Sequence, residues 1–158
     1  KGTEAKAYPN PSLAAMDLAS GKIDYVITDK KTKRLLPFAG SPNVELDKAF
    51  EQMMLVKEYY NKTGGRMIRH FWVSFPKQFC YTFVDCYYIG WRISEYYASY
   101  YQIIFGVHED TENIHIHFAM NTVSFLNGKK YAEGYEDYFY LQDYVKHVID
   151  KYNEKNIY

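Results

Sequence analysis

The spacing of hydrophobic residues along the chain predicts four helices. The first begins at Asn10-Pro11, because Asn is a favourable N-cap and Pro is favoured as the first residue of a helix. Gly21 weakens the apolar stripe of this helix without ending it. Apolar residues recur at helical intervals over residues 13–27, 46–60, 83–97 and 141–152.

A second pattern predicts strands. Residues 67–75 form a run rich in aromatic and β-branched residues, which Pro76 stops. Residues 101–108 and 114–125 form two more runs, separated by a short polar segment that can turn the chain. Strands joined in this way pair antiparallel. We therefore predict an α+β fold in which an antiparallel central sheet has helices packed on one face and a ligand site on the other.

The hairpin of residues 101–125 carries a candidate metal site. His115 and His117 are two residues apart on one strand, so their side chains share a face. His108 precedes His115 by seven residues, and the return strand would bring it beside the pair. Three neutral imidazoles with open coordination positions are typical of a catalytic metal ion.

The same histidines have a simpler interpretation. A single histidine on a strand is usually a packed or surface residue, and a His-x-His pair can be no more than that. The third histidine at hairpin spacing favours the metal site, whereas His70 and His147 have no comparable partner in the sequence.

Composition narrows the class of protein. The length of 158 residues predicts a single domain spanning residues 1–158, and the net charge of zero does not indicate a nucleic-acid binder. Two cysteines are too few for a disulfide framework, which favours a reducing, cytoplasmic setting. No apolar run is long enough to predict a membrane span. Because the chain starts at Lys1 without a methionine and ends in a charged helical tail, we expect it to be an N-terminal fragment of a longer protein.

Three segments resemble the relaxases, or mobilisation nucleases, of the HUH endonuclease superfamily. Residues 107–125, continued by 126–131, resemble the three-histidine motif of that family. Residues 62–66, which lead into the strand of residues 67–75, match an upstream motif, and residues 23–32 resemble the motif that holds the nucleophilic tyrosine. One departure is Asn113, where many relatives have a further histidine.

This resemblance implies an activity and a set of partners. A divalent ion held by His108, His115 and His117 would bind the scissile phosphate of single-stranded DNA at an origin of transfer. Mg or Mn is the expected ion, and Zn, Ni or Co would also suit three histidines. Tyr25 would attack the phosphorus and form a 5′-phosphotyrosine link, initiating conjugative mobilisation with accessory relaxosome and coupling proteins.

Tyr144 is the main rival to Tyr25 among the 18 tyrosines of the chain, and Tyr59 and Tyr60 could be packing residues or DNA contacts. A residue two positions from both Ile23 and Ile27 lies about 200° around the helix, so Tyr25 faces away from the predicted buried side. Tyr144 lies on a helix after the histidines, as the tyrosine does in related replication initiators and transposases. Tyr144 nevertheless falls on an apolar stripe, which favours a packing role.

Basic residues are the candidate DNA contacts. The densest cluster, which directly follows Tyr25, could track a phosphate backbone or simply be a solvated loop. Asn121 shares the histidine face and is a candidate for orienting a ligand histidine. The candidate DNA-binding residues are Lys30, Lys31, Lys33, Arg34, Lys62, Arg66, Lys129 and Lys130.

Three functions stay open at this point. The first is a relaxase with Tyr25 as nucleophile, and the second is a replication initiator or transposase with Tyr144. The third is a non-catalytic DNA-binding or scaffold protein in which the histidines bind a structural metal.

Overall fold

The fold is a four-stranded sheet with four helices. A computed structural model describes the backbone of residues 11–156 and the side chains from residue 15 onward. The predicted N-cap Asn10 and the side chain of Leu13 therefore lie outside the described part. The helices are α1 (Pro11–Ile27), α2 (Ala49–Tyr59), α3 (Phe83–Ala98) and α4 (Tyr135–Lys155). The strands are β1 (Ala39–Gly40), β2 (Ile68–Pro76), β3 (Ile103–Glu109) and β4 (Asn113–Asn121).

The sheet is antiparallel with strand order β1-β3-β4-β2. β3 and β4 form the predicted hairpin, and its turn is fixed by Asp110, whose carboxylate Oδ1 accepts hydrogen bonds from the backbone N–H of Glu112 and Asn113. β4 lies between β3 and β2, so it is paired along both edges. The predicted α+β class with an antiparallel sheet is confirmed.

The helices cover both faces of the sheet, whereas the sequence analysis placed them on one. α3 and α4 pack on the face formed by the larger apolar side chains, including Phe105, Ile116 and Phe118. α1 and α2 pack on part of the other face, against Ile104 and Ala119. The histidine end of this second face lies beyond those contacts. No helix within residues 11–156 has the length and apolar character that crossing a membrane requires.

A buried lysine ties α2 to the end of β4. Lys57 is fully buried, and its Nζ donates hydrogen bonds to the Met67 carbonyl oxygen at 2.7 Å and to Asn121 Oδ1 at 2.5 Å. The Asn121 amide in turn donates to the Met53 carbonyl oxygen and to Gln102 Oε1. These hydrogen bonds satisfy polar groups that would otherwise be costly to bury.

This lysine predicts a pH dependence of stability. Burial lowers the pKa of Lys57 from 10.5 to about 7, so the unfolded chain binds more protons between those values and the free energy of unfolding rises with pH. We expect the free energy of unfolding of the wild type to increase between pH 7 and 9.5, relative to Lys57→Met, on the order of 1–3 kcal/mol. Urea unfolding at both pH values measures this difference. The exposed Lys155→Met should follow the wild type, and equal pH slopes for Lys57→Met and wild type would contradict the expectation.

Candidate active site

The three predicted ligand histidines lie on one face of the β3–β4 hairpin. His108 is directly opposite His115, and His117 is opposite Gly106. The ring centroids of His108 and His117 are 4.8 Å apart, and those of His115 and His117 are 5.8 Å apart. The hairpin therefore brings together the histidines that the spacing argument paired.

Tyr25 faces this histidine cluster from the last turn of α1. The centroid of its ring is 5.2 Å from that of His117, 5.6 Å from that of His108 and 5.8 Å from that of His70. Its side chain is 40% exposed, so the phenol is accessible to a ligand from solvent. A helix and a hairpin that are distant in sequence thus place the predicted nucleophile against the predicted metal ligands.

The end of α1 approaches β3 at Gly106. A Cβ atom at this position would lie 2.0 Å from the Val26 carbonyl oxygen, so the close approach requires glycine. The same carbonyl oxygen accepts a hydrogen bond from His108 Nε2 at 2.8 Å. Since Tyr25 immediately precedes Val26, this contact fixes the phenol and His108 relative to each other.

A fourth histidine belongs to the cluster, although the sequence offered it no partner. His70 on β2 places its Nε2 3.0 Å from His117 Nδ1, and the two rings are stacked with centroids 5.2 Å apart. β2 is next to β4 in the sheet although β3 lies between them in sequence. The strand order alone brings His70 beside His117. In the sequence, the only sign of this pairing was the strand pattern of residues 67–75.

Burial keeps three of these histidines uncharged. Desolvation is the largest cause lowering the pKa of His70 and of His108 below 6.5. Desolvation, followed by the neighbouring histidines, lowers the pKa of His117 to about 3. A neutral imidazole has one N–H and one lone pair, so at neutral pH each of these rings can accept a hydrogen bond or bind a metal ion.

One ring nitrogen of each predicted ligand is held by a neighbour. His108 Nε2 donates to the Val26 carbonyl oxygen, and His115 Nε2 donates to Asp110 Oδ2 at 2.6 Å. The bond to His115 is the largest cause lowering the pKa of Asp110 to about 2. His117 Nδ1 can donate to His70. Metal-binding histidines commonly fix their second nitrogen in this way.

The ring nitrogens that make no hydrogen bond within the described part of the chain can act as ligands of a divalent ion. They are His108 Nδ1, His115 Nδ1 and, when Nδ1 of His117 donates, His117 Nε2. His115 Nδ1 is buried without a hydrogen-bond partner among the described residues, and a bound cation would satisfy it. In their present orientations, no three His, Cys, Asp or Glu side chains within the described ranges could hold one ion. The site thus fits a metal in its type of ligand atom and in its supporting hydrogen bonds, but the described side chains as placed do not form a complete ligand set.

An open basin of about 680 Å³ lies over the cluster. Lys30 and Lys31 contribute positive charge to the basin, and Asp29, Glu109 and Asp110 contribute negative charge. Lys30 Nζ is 5.3 Å from the centroid of the Tyr25 ring. We call it the histidine basin, and the residues that line it include Tyr25, Lys30, Lys31, Trp72, His108, His115 and His117.

The other basic candidates are divided between two regions. Lys33 and Arg34 belong to the same tight turn as Lys30 and Lys31, in which Asp29 Oδ1 accepts hydrogen bonds from the backbone N–H of residues 31 and 32. Lys33 and Arg34 are exposed but do not line the basin.

The remaining basic candidates cluster around the loops that adjoin the far end of β4. Lys62 Nζ donates to the Gly128 carbonyl oxygen at 2.6 Å, and Lys130 Nζ donates to the Gly64 carbonyl oxygen. Arg66 pairs with Glu133 at 3.1 Å, and Lys129 is exposed. Lys62 and Lys130 thus join neighbouring loops through hydrogen bonds. None of the four basic residues lines the histidine basin.

Asn121 and Tyr144 have partners away from the cluster. Asn121 is engaged by Lys57, Met53 and Gln102 and is four residues from His117, roughly 13 Å along an extended strand. The hydroxyl of Tyr144 donates to the Arg92 carbonyl oxygen, on the side of the sheet covered by α3 and α4. Neither residue contributes to the histidine basin.

Comparison with known proteins identifies the class. Residues 25–153 match the family model of relaxases described as the MobA/VirD2-like nuclease domain, so the chain belongs to this family of DNA-nicking domains. Protein rlx of Staphylococcus aureus is 26% identical over 113 residues, which cover 67% of this chain and 34% of that protein. The chain therefore spans about a third of the length of that relative. No solved structure gives a significant match.

Gly106→Ala tests how the site is assembled. Because its Cβ would meet the Val26 carbonyl oxygen, we expect the substitution to lower the free energy of unfolding by about 1–3 kcal/mol. Gly21→Ala, in the middle of α1 with open space around it, should instead raise the free energy of unfolding by up to about 1 kcal/mol. Denaturant unfolding compares the two variants. Equal stability of Gly106→Ala and wild type would show that α1 does not depend on this approach.

Proposed function

We propose that this chain is the nicking domain of a mobilisation relaxase in which Tyr25 cuts and rejoins single-stranded DNA at an origin of transfer. The observation that carries the proposal is the position of the Tyr25 ring, 5.2–5.8 Å from the rings of His70, His108 and His117. Family membership supplies the class of reaction, and the cluster supplies a nucleophile beside groups suited to a phosphate and a cation.

The proposed step is a transesterification. The Tyr25 phenol gives up its proton as its oxygen forms a bond to the scissile phosphorus, the bond to the 3′ oxygen breaks, and the released 3′ oxygen takes up a proton. The products are a 5′-phosphotyrosine and a free 3′ hydroxyl, so the phosphodiester energy is retained and the reverse step rejoins the strand. Lys30 and Lys31 would hold the phosphates that flank the scissile group at the basin.

His108, His115 and His117 would hold a divalent ion, with Mg or Mn as the expected metal and Zn, Ni or Co as compatible ones. When bound, the ion supplies positive charge to the phosphate oxygens on which negative charge develops. The protein's part is to keep His108 and His117 neutral by burial and to hold the second nitrogens of the three rings through Val26, Asp110 and His70.

In conjugative mobilisation, this domain would act with accessory relaxosome and coupling proteins. This part of the proposal rests on family membership and on the relative that extends beyond the matched region.

The nucleophile is tested by Tyr25→Phe and Tyr144→Phe. A random-sequence pool of single-stranded oligonucleotides labelled at the 3′ end is incubated with Mn and the protein, and covalent adducts are resolved on a denaturing gel. We expect wild type and Tyr144→Phe to form an adduct that carries the 3′ label. Tyr25→Phe should form no labelled adduct, since Tyr25 forms the 5′-phosphotyrosine. Loss of the adduct only in Tyr144→Phe would support a replication-initiator or transposase mechanism instead.

Metal binding is tested by titrating Mn into the protein and following heat or the electron paramagnetic resonance of free Mn. Removal of a ligand in His117→Ala should abolish measurable binding, while the exposed His147→Ala on α4 should bind as the wild type does. His70→Ala should weaken binding by about 10- to 100-fold, because His70 orients His117. Equal binding by His117→Ala and His147→Ala would contradict the assigned ligands. Metal binding without any adduct would favour the scaffold alternative.

A further inference from the structure

A groove of about 540 Å³ runs between β2 and α4. β2 is the last strand of the sheet, so within the described residues one of its edges has no neighbouring strand. We call this space the β2–α4 groove. Its apolar walls are formed by Phe71, Trp72, Val73, Leu141, Val145 and Ile149.

Trp72 connects this groove to the histidine basin, because it lines both. Trp72 is 59% exposed, and it is directly opposite His117 in the sheet register. The indole centroid is 5.8 Å from that of His70 and 6.3 Å from that of His117. A flat aromatic surface therefore lies at the edge of the cluster that Tyr25 faces.

Each charged side chain around the groove lies within ion-pair distance of an opposite charge, with Arg66 and Arg69 sharing Glu133. Glu133 accepts from Arg66 at 3.1 Å and from Arg69 at 2.9 Å, and Lys146 is 3.2 Å from Asp150. A site for phosphates would present unpaired cations, as single-strand binders do along the backbone. Apolar walls, paired charges and the backbone groups of a strand edge instead suit an uncharged heterocycle that carries hydrogen-bonding atoms.

We propose that the β2–α4 groove binds a nucleobase of the DNA strand whose phosphate reaches Tyr25, with Trp72 as the surface on which the base stacks. The inference rests on the proposed function, since it assigns one part of that substrate to a second cavity. An extended peptide pairing with β2 would use the same edge. Trp72 lines both the groove and the histidine basin, and this shared residue favours the nucleotide.

Trp72 fluorescence tests the stacking directly. The chain has two tryptophans, so Trp91→Phe leaves Trp72 as the only indole, and Tyr25→Phe in the same protein prevents cleavage. The probes are an oligothymidylate of about twelve nucleotides and an abasic strand of the same length and charge. We expect the oligothymidylate to quench Trp72 and the abasic strand to bind without quenching. Equal quenching by both strands, or by neither, overturns the proposal.

Affinity provides a second measurement that does not depend on fluorescence. Base stacking of about 1–3 kcal/mol corresponds to a 5- to 140-fold change in Kd at 1.4 kcal/mol per factor of ten. Trp72→Ala should weaken binding of the oligothymidylate by about this factor and binding of the abasic strand much less. Trp72→Phe should fall between Trp72→Ala and wild type. Unchanged oligothymidylate binding by Trp72→Ala overturns the proposal.

Filling the groove tests whether the base enters it. Gln142 is exposed on α4 and lines the groove, whereas the neighbouring Asp143 is exposed and does not. Gln142→Phe should weaken oligothymidylate binding at least about fivefold, matching the lower end for one stacked base, and Asp143→Phe should not. If Gln142→Phe binds the strand as the wild type does, the groove is free for another occupant such as an added peptide strand, and the proposal is wrong.

Together, these experiments distinguish failure of the proposed base binding in the β2–α4 groove from failure of the proposed nicking reaction. Adduct formation through Tyr25 without base-dependent quenching of Trp72 would overturn the groove alone. Base-dependent quenching without an adduct from the wild type would support the groove and overturn the nicking reaction.

Discussion

The approach of α1 to β3 at Gly106 is the contact on which the arrangement of the site depends. With no side chain at this position, the Val26 carbonyl oxygen comes close enough to β3 to accept the hydrogen bond from His108. Tyr25, one residue earlier, is thereby turned toward the cluster, while Ile23 on the same helix is buried in the core. The absence of a side chain at Gly106 thus lets α1 pack close to β3, and this packing sets the position of the Tyr25 phenol. Backbone packing determines the distance between this tyrosine and the histidines more directly than any contact between their side chains.

Three of the four histidines in the cluster are buried enough to stay neutral, and hydrogen bonds satisfy most of the buried ring nitrogens. Desolvation keeps His108 and His117 neutral, which a metal ligand requires, but it also exposes each imidazole to the cost of an unsatisfied polar atom. A backbone carbonyl, a carboxylate and a fourth imidazole each satisfy one ring nitrogen. Among the described residues, His115 Nδ1 is the buried ring nitrogen without a partner, and a bound cation would satisfy it. The supporting hydrogen bonds are therefore part of the site, and His70 belongs to it as much as the residues it holds.

The two faces of the sheet have different roles. The face under α3 and α4 is a continuous apolar core, and it contains Tyr144 at its margin. The opposite face is polar at both ends, with the Lys57–Asn121 hydrogen bonds at one end and the histidines at the other. Basic residues are divided in the same way, since Lys62 braces loops near the first end while Lys30 lines the basin at the second. The net charge of zero conceals this uneven distribution.

The sequence by itself determined the helices, the hairpin and the shared face of His115 and His117, because these depend on periods of 3.6 and 2 residues that can be read locally. It also indicated Tyr25 through its motif and its position opposite Ile23. The tertiary structure decided which strand lies beside β4, and hence that His70 joins the cluster, since strand order depends on contacts between distant segments. It also placed α1 and α2 on the histidine face and gave Asn121 to Lys57 instead of to a ligand histidine. The alternation of side chains along a strand shows which face of the sheet a residue lies on, but only the tertiary packing determines which residue it contacts.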